Sequence, residues 1–213
     1  MELVSVVVFV AEDSGSTLDY IRDEFGDNFH FKSEENGQIN CKVVFFESVN
    51  EIKSKIAQRY ADTLKDGKLY LSVGVLDLAN LDYEPTGEFG ITEIAEEVLN
   101  KELIPFYNNY RFRSVFVTNV FNYCTAKSEY HSEKRAVALA EEFGNLQKTL
   151  KDKIEKDTLS YYIDKTSNPD DVFGEGIVNK DVVKKVKEKL EELIKHEINY
   201  SQSNDSMYKQ KKK

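Results

Sequence analysis

The most apolar stretch of the chain runs from Leu3 to Ala11, a nearly unbroken series of Val and Phe, and gives way at once to the polar residues Glu12 to Thr17. A strand solvated on one face alternates apolar with polar residues; this one does not, which predicts a strand covered on both faces. Leu18, Ile21 and Phe25 then recur at three- and four-residue spacing, predicting a helix capped by Ser16 or Thr17 and stopped by Gly26. Two strand-like segments flank Asn36 and Gly37, a dipeptide that readily takes positive φ, and predict a hairpin closed by a type I′ turn.

A second helix is expected after a cap at Ser48 or Asn50, with Ile52, Ile56, Tyr60 and Leu64 as its apolar stripe and Gly67 at its end. Residues 68–77 read as a further strand, in which Gly74 permits the close approach of a neighbour. Residues 78–90, with Pro85 and Gly87, form the longest irregular connection in the first half of the chain. Thr92 caps a helix on Ile94, Val98 and Leu99, and Pro105 predicts a kink or a fresh helical start before a buried strand over 113–121. A charged helix from Ser128 carries Ala136, Leu139, Ala140 and Phe143; helical character resumes through Leu146, Leu150 and Ile154 and is expected to reach Tyr161 and Tyr162. Asn179 caps a last amphipathic helix on Val182, Val183, Val186, Leu190, Leu193 and Ile194, whose outer face alternates Lys and Glu. Residues 1–200 therefore read as a single α/β domain and 201–213 as a disordered Lys-rich tail.

Alternation of strands and helices with one inserted hairpin predicts an α/β fold of three layers, built on a mixed, mostly parallel sheet of about five strands. The alternative is a ferredoxin-like core, because residues 1–77 alone spell β-α-β-β-α-β, with the remainder as a C-terminal helical extension. That arrangement leaves one sheet face bare, and the continuous apolar runs 4–10 and 115–120 favour two covered faces.

Composition narrows the partners. The chain carries 38 acidic against 29 basic residues, a formal charge of -9, which argues against a broad grip on nucleic-acid phosphates. Its apolar runs fall well short of the roughly 20 residues needed to cross a bilayer, so no membrane partner is expected. The opening lacks the basic start and small-residue cleavage site of a signal peptide, and the only cysteines, Cys41 and Cys124, sit in apolar strand-like runs. A cytoplasmic protein with reduced thiols is the expectation.

Three places could carry chemistry. In the turn Asp13, Ser14, Gly15, Ser16, Thr17, small residues let a backbone approach an anion, hydroxyls donate to it, and a helix start lies behind. The same residues also serve an ordinary strand-to-helix cap, and they form neither a Walker A loop nor a Gly-x-Gly-x-x-Gly turn. Glu12 and Asp13 would repel a phosphate unless a divalent cation such as Mg²⁺ intervened. Asp77, at the end of a predicted parallel strand, could join Asp13 as a metal ligand or catalytic base, though acids commonly end strands in so acidic a chain. Asn119 and Asn122 leave a buried strand and could orient the rest of a ligand; Cys124 and His131 could make a nucleophile pair, but spacing does not place them together, and a Cys bordered by Tyr reads more simply as a small buried hydrophobe.

These residues point to a small-molecule-binding α/β protein whose ligand is phosphorylated or nucleotide-like, with metal-assisted hydrolysis or group transfer as the chemistry it could support. The reading from a different class is a non-catalytic protein-interaction or assembly protein, favoured by the absence of any complete catalytic motif.

Overall fold

A computed structural model describes residues 1–12, 15–46, 49–76, 104–118, 148, 151–152, 154–156, 160–164 and 180–204. Its strands are β1 (Leu3–Ala11), β2 (Asn28–Ser33), β3 (Gly37–Phe46), β4 (Leu69–Leu76), β5 (Arg113–Thr118) and β6 (Tyr161–Asp164). Its helices are α1 (Gly15–Phe25), α2 (Val49–Asp66), α3 (Ile104–Tyr110) and α4 (Lys180–Ser203). They form one sheet in the order β2-β3-β1-β4-β5-β6, in which β2 alone runs antiparallel.

The place of β1 follows from its composition. Val6 through Ala11 are all buried, and both edges of the strand are paired, to β3 and to β4. Side chains of a strand alternate between faces, so each half of this apolar run needs its own cover. Val6, Val8 and Val10 share a core with Ile21 and Phe25 of α1 and with the stripe of α4 that was expected from the sequence. Val7, Phe9 and Ala11 face the other way, toward α2, which buries Ile52 and Ile56. Helices on both faces and parallel β1–β3 and β1–β4 pairs make the three-layer arrangement, and they exclude the ferredoxin-like alternative.

On the α2 face the seat is polar as well as apolar. Arg59 reaches across two strands: its Nε donates to Ser72 Oγ at 3.0 Å, and its Nη2 donates to Ser5 Oγ and to the Leu71 carbonyl, each also at 3.0 Å. Burial lowers the basicity of this guanidinium, which is surrounded by neutral acceptors. Thr63, one turn on, accepts from the Tyr70 amide at 3.1 Å. The α2 stripe therefore runs Ile52, Ile56, Arg59, Thr63, while Tyr60 and Leu64 are only half-buried.

Three expectations need correction. The hairpin is present, but Ser33 pairs with Gly37 across the three residues between them, and positive φ occurs at Gly37 (69°) and not at Asn36. A type I′ turn requires two such residues, so this is a longer turn closed by one left-handed glycine. Tyr161 and Tyr162 belong to strand β6, in register with Val115 and Phe116, and not to a helix end. The sheet accordingly has six strands. Finally, α1 begins at Gly15, so Ser16 and Thr17 lie within its first turn and do not cap it. The helix α4 continues to Ser203; residues 205–213 and the segments 77–103 and 119–147 lie outside the described residues. Among the described residues no helix is long and apolar enough to cross a membrane.

Two outcomes follow from this packing. A methyl group at Gly74 would stand 2.6 Å from Ser114 Oγ and 2.7 Å from the Phe112 ring, so Gly74→Ala is expected to cost roughly 1–3 kcal/mol in urea unfolding, with part recovered by adding Phe112→Leu. Burial, reinforced by the charge of Glu191, pushes the Cys41 thiol up to about 12. The neutral thiol is the form the fold holds, so its contribution is whole below its ordinary value near 9.0 and is lost as pH climbs from there toward 12. In a Cys124→Ser background, Cys41 should resist thiol reagents at pH 8 until denaturant is added; rapid native labelling would contradict this.

Candidate functional site

The carboxyl ends of the parallel strands lie level. Ala11 is the register partner of both Phe46 and Leu76, and Leu76 is the partner of Phe116, two residues before β5 ends. From this rim the chain leaves β1 through α1 toward β3, and leaves β4 toward β5 on the other side. Neighbouring strands whose connections part in opposite directions leave a crevice between their ends, where open α/β sheets commonly seat ligands. The reversal here falls between β1 and β4.

On that rim, Glu12 follows β1 as a buried carboxylate, and α1 opens at Gly15 with its first-turn amides unpaired within the helix. Thr17 stands in that first turn. It is 0% exposed, and its Oγ1 is buried without a hydrogen-bond partner. A hydroxyl in this state costs about 1–3 kcal/mol, because it has given up water and gained nothing in return. A helix start with partial positive charge beside an uncommitted hydroxyl can receive an anionic oxygen.

Of the residues singled out in the sequence, Gly15, Ser16 and Thr17 are located on α1, with the side chain described for Thr17. Asp13, Ser14, Asp77, Asn119 and Asn122 lie outside the described residues, as do Cys124 and His131. Asp77 is the residue directly after Leu76, and Asn119 directly follows Thr118, so the strands that deliver them end on the rim. Among the described residues no group of three or more His, Cys, Asp or Glu side chains is placed to hold a metal ion.

The opposite end of the sheet carries a cluster that the sequence reading missed. Glu197 of α4 is 2% exposed and meets two guanidiniums: Arg113 Nε lies 2.5 Å from its Oε1, and Arg111 Nη2 lies 3.3 Å from its Oε2. Arg113 is itself 5% exposed, and Arg111 also lies over the Tyr200 ring, 3.9 Å from its centroid. Arg111 adopts a left-handed φ of 52° at the end of α3, a conformation that most side chains avoid. Arg113 Nη1 is 3.2 Å from His196 Nδ1. The same Nδ1 is 3.4 Å from Glu197 Oε1, so it faces a guanidinium donor and a carboxylate at once. One signal was available in advance: Glu197 continues the apolar row Val186, Leu190, Leu193 and Ile194, where a carboxylate must find a partner.

No known family model matches the chain, and no curated protein is similar to it, so geometry carries the functional reading.

The buried cluster makes a stability prediction. Glu197→Ala removes the carboxylate that faces both arginines and is expected to cost about 3–5 kcal/mol, whereas Glu197→Leu combined with Arg113→Met should restore most of the loss. Urea midpoints of the three proteins measure this; an alanine variant as stable as the parent would show that the cluster does not hold α4 to the sheet.

Proposed function

We propose that this chain binds a small phosphorylated or nucleotide-like molecule at the rim between β1 and β4. The observation that carries the reading is Thr17 Oγ1, a fully buried hydroxyl with no partner, in the first turn of a helix that starts directly behind a strand exit at the reversal of the sheet. A ligand oxygen there meets that hydroxyl and the free amides of Gly15, Ser16 and Thr17, with Ser14 adding a second hydroxyl from the turn.

The electrostatics shape the rest of the proposal. Glu12 is buried beside the same exit and Asp13 follows it, so a bare phosphate would meet like charge. A divalent cation such as Mg²⁺ would be held by Asp13 and Asp77, and would reverse that sign and polarise a phosphoryl group. With the ion in place the site would have the parts for hydrolysis or group transfer: Asp13 and Asp77 on the ion, or one of them released from it as base, and Asn119 and Asn122 orienting the leaving portion of the ligand.

Thr17→Val separates this reading from a merely imperfect core. The substitution keeps the shape and removes the unsatisfied hydroxyl, so the ligand-free protein should gain about 1 kcal/mol, or roughly 2–4 °C in Tm. In the parent, AMP or ATP with Mg²⁺ at a hundred times Kd should stabilise by about 2.7 kcal/mol. That shift should shrink in Thr17→Val and vanish in Asp13→Ala with Asp77→Ala. Equal nucleotide shifts in all three proteins, or none in the parent, would overturn the proposal.

A further inference from the structure

At the amino ends of β5 and β6, on the side of the sheet covered by α4, lies a groove of about 370 Å³ lined by Arg113, Glu155, Tyr161, Lys189, Leu193 and His196 among others. It is remote from the rim, since Arg113 and Tyr161 are the first residues of their strands, and nothing in the rim proposal bears on it. Its volume falls at the lower end of the roughly 300–1,000 Å³ usual for small-molecule sites.

The lining divides by chemistry. Lys189 contributes an ammonium whose carboxylate partner, Glu192 at 2.8 Å, is an exposed neighbour on the same helix. Exposed pairs of that kind hold little free energy, so the ammonium is available to a better acceptor. His196, with a 58% exposed side chain, has Nδ1 against Arg113 and Glu197, and its Nε2 makes no hydrogen bond among the described residues. Behind them Arg113 adds a guanidinium that Glu197 holds in place. Glu155 also lines the groove and adds a carboxylate to these donors. Leu193 and the Tyr161 ring line it as well, the latter 4.9 Å below Lys189 Nζ.

Donors for an oxyanion, an acceptor for a cation and an apolar floor occur together in one hollow of this size. A phosphate dianion would be repelled by Glu155, and an uncharged apolar ligand would strip water from charged groups while returning no partner. We infer that the groove binds a free α-amino acid, its carboxylate on Lys189 and His196, its ammonium on Glu155 and its side chain against Leu193 and Tyr161.

Calorimetric titration of the full chain with L-phenylalanine and L-leucine tests this, alongside L-phenylalaninamide, N-acetyl-L-phenylalanine and inorganic phosphate. Saturable binding of at least one amino acid is expected, with each blocked analogue weaker by about tenfold or more, the loss of one charge-assisted hydrogen bond. Glu155→Gln should erase the preference for the free over the acetylated amine, and Lys189→Gln the preference for the acid over the amide. No saturable binding of either amino acid, phosphate binding more tightly than both, or undiminished discrimination in the two variants would overturn the inference. Should a variant fail to fold, the analogue series on the parent protein decides alone: acetylated and free forms binding equally would reject it.

Discussion

Everything in this molecule is arranged around the need to bury one strand completely. β1 presents apolar side chains to both faces and unpaired amides and carbonyls to both edges, and each of those four demands has a separate answer in the chain. β3 and β4 satisfy the edges. α1 with α4 satisfies one face, and α2 the other. Burying a Val or Phe side chain contributes about 1.5–3 kcal/mol, and the six consecutive buried residues Val6–Ala11 cannot be served by a two-layer structure. The crevice at the carboxyl rim is a by-product of that solution: once β1 lies between β3 and β4, the connections on either side of it must diverge.

The two ends of the sheet are treated differently. At the amino end, polar side chains act as latches: Arg59 fastens α2 across Ser5, Leu71 and Ser72, while Glu197 fastens α4 to the two arginines that bracket the entry into β5. These groups are committed to their partners, and they hold the layers in register. The carboxyl rim shows the reverse, with a buried hydroxyl on Thr17 that is committed to nothing. At the amino end the latch also reaches His196, whose Nδ1 lies 3.2 Å from Arg113 Nη1 and 3.4 Å from Glu197 Oε1.

Much of this was legible in the amino-acid order and some was not, for identifiable reasons. The unbroken apolar run of β1, the stripe of α4 from Val182 to Ile194 and the helix stops at Gly26 and Gly67 are local signals, and the structure carries them as read. β6 escaped because four residues are too few to display a period; only its register with β5 identifies it. Arg59 falls between the apolar positions expected for α2, and a long cationic side chain gives no local sign that neutral acceptors await it across two strands. Glu197 could have been caught, as an acid on a buried row, but its partners Arg111 and Arg113 sit over eighty residues away, where no local pattern joins them to it. The candidate ligand residues were gathered on the assumption that three strand exits share one rim. The parallel register of β1, β4 and β5 supplies that shared rim, while the positions of Asp13, Asp77, Asn119 and Asn122 upon it belong to the proposal.

The cover of the first-made core face comes from a late part of the chain. Glu24 on α1 pairs with Lys187 on α4 across 163 residues, and Asn36 at the hairpin tip bonds Asn199 across the same 163. At roughly 5–20 residues per second, a ribosome would leave Val6, Val8 and Val10 without α4 for on the order of 10–30 s. During that interval Val6, Val8 and Val10 lack the cover that α4 gives them in the finished fold, so this face of the core closes only when the far end of the chain has emerged.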